Sequence, residues 1–228
     1  EALQVASGKP IHISTKNIRY GALSVANGEL DLFGRYPNTM KNPLILRNVK
    51  LSLFDGELTV PQLTFPQSKM ATLSFTNIDL AQVLALAQYN QVTLTGRANA
   101  VMPFWLGHKE CLICNGTLEQ VGNVSIKLTD EMVKGLKKGG WTENILVDLL
   151  KEMELQNSHA AVTLDPKGQM TLRASISGFN PTKRTHNPIT LNYTHQENMF
   201  ELWNMIDYGS QFEQNLQYKL YKQLDKDK

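Results

Sequence analysis

The chain has 228 residues, 42% hydrophobic, 8% aromatic and 19% charged, with 23 basic and 21 acidic residues and a net charge of +2. At roughly 150 residues per domain this is one large domain or two small ones, long enough to bury roughly 70% of its unfolded surface. Charge below the usual level of about 25% argues against disorder and against a charged coiled coil, and the balance of signs removes the electrostatic case for nucleic-acid binding.

The first residue is Glu1 rather than Met, as expected of a processed product or a piece of a longer protein. No run approaches the 18 or more apolar residues of a membrane span, and no signal-peptide pattern is present. Ile11, Ile13, Ile18 and Tyr20, then Leu30 and Leu32 beyond Asn27-Gly28, predict the first strands. Leu44 and Leu46, then Val49, Leu51 and Leu53, alternate up to Asp55-Gly56, a pair suited to a two-residue hairpin turn. Leu58, Val60, Leu63 and Phe65 return from it, and Ala71, Leu73 and Phe75 follow.

Asp79 is a good N-cap, and Leu80, Val83, Leu84 and Ala87 fit one face of a short helix. Val92 and Leu94 resume a strand that runs unevenly through Met102 and Phe104. Strand pattern returns from Cys111 to Leu118, and Val124, Ile126 and Leu128 predict a separate short strand. Thr129-Asp130 offers a helix start. A further helix is expected from Thr142 to near Asn157, with Ile145, Leu149 and Met153 on one face.

Ala160, Val162 and Leu164 lead into Asp165-Pro166-Lys167-Gly168, a turn with Pro at its second position and Gly at the left-handed one. Met170, Leu172, Ala174 and Ile176 return. Ile189, Leu191 and Tyr193 make the last expected strand, and from Gln196 the period becomes helical. Phe212, Leu216, Leu220 and Leu224 predict an amphipathic helix before a charged tail. Joined hairpins argue for an antiparallel, mainly β fold with helices rather than βαβ units. Residues 1–207 are read as the sheet with inserted helices, and 208–228 as the terminal helix and tail.

Little here carries reaction chemistry. The five histidines show no H-E-x-x-H or comparable spacing, and there is no G-x-S-x-G elbow and no phosphate-binding glycine loop. No catalytic residue, metal site or cofactor is assigned. Cys111 and Cys114 form a lone C-x-x-C in a strand context. Extended, they stand about 10 Å apart, too far for a disulfide, whereas a turn at Leu112-Ile113 brings them together. Free thiols, a local disulfide and a redox pair all stay open. The alternating faces fit either a closed sandwich core or an open apolar groove, which periodicity does not separate.

Several stretches in this order resemble the YdbH-like family of the AsmA superfamily: Asn48 to Val60, Asn77 to Leu86, Val92 to Gly96, Ala161 to Leu172, Gly178 to Pro181, Ile189 to Tyr193 and Gln196 to Met199. The likeness covers roughly residues 44 to 207 and points to the family's C-terminal region. It implies a Gram-negative protein anchored in the inner membrane, its body crossing the periplasm as an elongated, curved antiparallel sheet with an apolar groove. That groove is expected to carry phospholipid acyl chains between the membranes, without enzymatic chemistry. A small outer-membrane lipoprotein is the expected protein partner, adding a strand by β-augmentation. The alternative is a periplasmic docking domain that binds the lipoprotein without lipid. The family is also labelled a dicarboxylate transport domain, which no Arg or Lys cluster here supports. The groove candidates are Leu51, Leu53, Leu58, Val60, Leu63, Phe65, Leu73, Phe75, Leu94, Val162, Leu164, Leu172 and Ile176. The candidate edge for a partner strand is Ile189, Leu191 and Tyr193.

Overall fold

Alternation along the chain becomes one antiparallel meander. The computed structural model describes residues 5–6, 9–20, 23–36, 38–86, 92–131, 133–134, 151–182 and 188–201. A small ladder pairs β1 (Val5–Ala6) with β4 (Arg35–Tyr36). The main sheet runs through β2 (Ile11–Tyr20), β3 (Leu23–Phe33), β5 (Leu44–Leu53), β6 (Gly56–Phe65), β7 (Ala71–Asp79), β8 (Val92–Phe104) and β9 (Ile113–Leu128). It continues into β10 (Glu152–Leu155) and β11 (His159–Leu164), which lie end to end between β9 and β12 (Gln169–Phe179). β13 (Ile189–Asn198) pairs with the other edge of β12.

Asparagines in the left-handed region explain why the alternation slips. Asn17, Asn48, Asn77, Asn115 and Asn157 have φ between 53° and 56°, a conformation that Asn tolerates better than most residues. At Asn48 the apolar positions step from Leu46 to Val49, at Asn77 from Phe75 to Ile78, and at Asn115 from Ile113 to Gly116. The pairing register shifts beside each of these three. Such a bulge inserts a residue and so restores the apolar side chains to one face. Without it, a one-residue slip would send every later side chain to the other face.

The hairpins form as expected, with one shift. Leu53 pairs with Gly56, so the two-residue loop is Phe54-Asp55 rather than Asp55-Gly56, and both loop residues have positive φ (52° and 50°). Gly56 is needed for space instead: a Cβ there would lie 2.5 Å from the Thr76 carbonyl oxygen and 2.7 Å from that of Asn77. In the second hairpin Gly168 takes φ 89°, and the Asp165 carboxylate accepts from the Lys167 and Gln169 amides at 2.8 and 2.9 Å.

Helix α1 (Leu80–Leu86) starts where its cap predicts, the Asp79 carboxylate accepting from the Ala81 and Gln82 amides at 2.8 and 3.2 Å. Leu80 joins Ile78, Ala98 and Val124 in the buried core cluster, and Val83 packs against it. Three expectations need correction. Cys111 to Leu118 and Val124 to Leu128 are not two strands, since β9 runs through both with Gly122 at φ 64°. The helix expected to reach Asn157 does not: Glu152–Leu155 is strand β10, with Met153 opposite Ile126 and 1% exposed. Pairing against β9 outweighs the local helical period there. β13 extends to Asn198, so the helical turn opens at Met199, where Asn198 Oδ1 accepts from the amides of Phe200 and Glu201. Residues 142–150, and the amphipathic helix expected around Phe212 to Leu224, lie outside the described residues. No described helix is long and apolar enough to cross a membrane.

Candidate functional site

Residues directly opposite in an antiparallel pair point to the same face, so the register can be followed from strand to strand. One row runs Thr15, Gly28, Leu51, Leu58, Phe75, Ala100, Leu118, Ala160, Ala174 and Tyr193, crossing ten strands without a gap. The adjacent row on the other face runs Ser14, Glu29, Lys50, Thr59, Ser74, Val101, Thr117, Ala161, Arg173 and Thr194. In the first row only Tyr193 is exposed; in the second, all but Thr59 and Ser74 are. Along these two rows the sheet is mainly apolar on one face and mainly polar on the other. Nine inter-strand steps of about 4.8 Å make the whole row about 43 Å long, and the seven from Gly28 to Ala174, which are free of polar side chains, about 34 Å.

Leu51, Leu58 and Phe75 lie in this row, and the other groove candidates flank it, each opposite an apolar residue or glycine. Leu53 faces Gly56, Val60 faces Val49, Leu63 faces Leu46, and Phe65 faces Leu44. Leu73 faces Met102, Leu94 faces Ile126, Leu164 faces Met170, and Ile176 faces Leu191. Val162 lies between Gly116 and Leu172. Phe75, Leu94 and Leu118 pack against the core cluster that includes Leu80 of α1. Leu53, Val60 and Val162 are buried, while Leu51, Leu58, Leu63, Phe65, Leu73, Leu164, Leu172 and Ile176 are half-buried. Ile11, Ile13 and Ile18 on β2 are exposed.

Cys111 and Cys114 are joined as a disulfide, with a Cα–Cα distance of 5.4 Å. The strand geometry that separates them does not apply, because β9 begins at Ile113 and Cys111 lies in the loop before it. That loop is closed by the Trp105 amide donating to the Leu112 carbonyl at 2.9 Å and the Leu112 amide donating to that of Leu164 at 2.7 Å. His108 Nδ1 lies 3.5 Å from the Cys111 sulfur and accepts from the Glu110 and Cys111 amides. His108, Cys111 and Cys114 group their donor atoms within 4.8 Å, but bonded sulfurs leave a metal only the imidazole.

On the polar face Asp31 bridges strands, accepting from Asn48 Nδ2 at 2.8 Å and contacting His12 Nδ1 at 3.0 Å. The Asn48 hydrogen bond first, and His12 second, hold its carboxyl below the usual range. The Lys151 ammonium, 3.1 Å away, does the same for Asp130. The Asp31 contacts tie neighbouring strands at the surface, whereas the Asp130–Lys151 pair joins residues just outside β9 and β10.

The family model described as YdbH-like, intermembrane phospholipid transport protein YdbH, matches residues 3–221. The chain belongs to the YdbH-like family. Among curated proteins it is 28% identical over 187 residues to the probable phospholipid transport protein YdbH of Escherichia coli strain K12, covering 82% of this chain and 21% of that protein. The chain thus spans about one fifth of the length of that relative. No solved structure matches.

Sequence reasoning missed Tyr193, His195 and Glu197 as a group. Tyr193 Oη lies 3.3 Å from His195 Nδ1, and His195 Nε2 lies 3.4 Å from Glu197 Oε2. The signal was available as three polar residues in the phase of Ile189 and Leu191.

Proposed function

We propose that this chain is one section of a periplasm-spanning lipid bridge that carries phospholipid between the inner and outer membranes along its apolar sheet face, without enzymatic chemistry. The observation that supports this most is the apolar row, continuous over the eight strands from β3 to β12. Half of a bilayer's hydrocarbon thickness of about 30 Å is about 15 Å, so the row is long enough for lipids to follow one another. Each methylene removed from water contributes about 0.8 kcal/mol, enough to hold an acyl chain with no specific polar contact. An unpaired charge on this track would cost several kcal/mol, consistent with the apolar or glycine partner opposite each groove candidate, where Leu172 alone also has a titratable neighbour, His195.

The full-length protein is read as anchored in the inner membrane, with the β13 end toward the outer membrane. Among the described residues β13 is paired through β12, which leaves its backbone suited to β-augmentation by a strand of a small outer-membrane lipoprotein. Native mass spectrometry of the full-length protein, with extraction of its lipids, tests the reading. Bound phospholipid is the expected result. Capture of a lipoprotein with no lipid on a folded protein would favour the docking alternative.

A further inference from the structure

The apolar row changes chemistry where it reaches β13, the last strand among the described residues. The positions of β13 on the apolar face are Ile189, Leu191, Tyr193, His195 and Glu197, opposite Gly178, Ile176, Ala174, Leu172 and Met170 of β12. The first two continue the apolar surface. The last three are polar although the residues beside them are not. Their side chains also hold one another: Tyr193 and His195 stack with centroids 6.1 Å apart, Tyr193 Oη meets His195 Nδ1, and His195 Nε2 pairs with Glu197. The His195 and Glu197 side chains are 35% and 44% exposed, so both reach solvent. Three linked groups of different chemistry on an otherwise apolar face call for an explanation of their own.

We propose that Tyr193, His195 and Glu197 form a headgroup site for zwitterionic phospholipid at the terminal strand of the apolar face. The inference rests on the phospholipid reading above. In this site Tyr193 is a positioning residue: with its Oη–H donating to His195 Nδ1, the ring hydrogen sits on Nε2. A lipid phosphate accepts from Nε2–H while its ammonium donates to the Glu197 carboxylate, so the headgroup replaces the internal His195–Glu197 pair with two contacts of matching sign. A headgroup with phosphate but no ammonium offers Glu197 no opposite charge and brings a second negative charge beside it. Arg173 does not relieve this, because it lies opposite Thr194 on the other face. The acyl chains of the same lipid continue over Leu172, Ala174 and Ile176.

The test incubates the full-length protein with vesicles of equal phosphatidylethanolamine and phosphatidylglycerol, then quantifies each lipid retained after separation. The wild type should enrich phosphatidylethanolamine about two- to fivefold, the range that one exposed ion pair gives. Glu197→Gln and His195→Ala should bring the ratio close to one with total lipid unchanged, and Glu197→Lys should turn the preference toward phosphatidylglycerol. A purely structural role would not reverse the preference. Retained lipid without headgroup bias in the wild type, or a bias unchanged in all three variants, would overturn the proposal and leave the transport reading standing. No retained lipid at all would overturn both. Soluble phosphoethanolamine bound as tightly as the lipid would also overturn it, since the site is assigned to a lipid lying on the track.

Discussion

Cys111 and Cys114 show how a few loop hydrogen bonds change the chemistry of a residue pair. Extended geometry keeps i and i+3 apart, and the Trp105–Leu112 closure moves Cys111 out of the strand. Cross-linking so short a loop stabilises the fold by about 2 kcal/mol in the chain-entropy picture. Cys111→Ser should therefore lower the unfolding free energy by about that amount in a urea titration, and reduced wild type should behave like the variant. Asp31 gives a prediction of a different kind. Its carboxyl is held low by Asn48 and then His12, so its contribution is present above the unfolded carboxylate value near about 3.9. That contribution is lost as pH falls through the lower folded value. Asp31→Asn should flatten the acid limb of stability against pH without changing its shape above neutrality, as urea midpoints across pH will show.

At the scale of elements, the left-handed asparagines keep one face apolar along irregular strands. Asn77 has φ 55°, its amide donates to Asn99 Oδ1 at 2.8 Å, and its carbonyl accepts from Arg97 at 2.7 Å. Asn77→Ala should cost about 1 kcal/mol, because a Cβ without a compensating polar group is disfavoured in this region. Asn77→Gly should cost less; thermal or urea unfolding of the pair separates backbone strain from any other loss. The same positions explain what the sequence made legible. The hairpins at Phe54-Asp55 and Asp165 to Gly168, and the Asp79 cap, follow from local turn and cap chemistry. The fusion of Cys111–Leu118 with Val124–Leu128 into β9 does not, because it depends on β8 and on β10 and β11, far away in sequence. Met153 misleads for the same reason: its helical spacing from Leu149 is local, and its burial against Ile126 is not. The apolar side chains were readable as residues, but their assembly into one row depended on bulges that break simple alternation.

At the scale of the molecule, low charge content takes on a spatial meaning. Charged residues are sparse throughout, at 19%, and Glu29, Lys50 and Arg173 stand on the polar row while the row beside it carries none. The account predicts an asymmetry between neighbouring residues, which a photo-crosslinking amino acid can report in the full-length protein in its native envelope. Placed at Leu58 or Ala174, on the apolar row, the probe should form phospholipid adducts. Placed at Thr59 or Arg173, one residue away on the polar face, it should form few or none. Equal adducts on both faces, or none at Leu58 and Ala174 in a folded protein, would contradict the claim that lipid travels along this row.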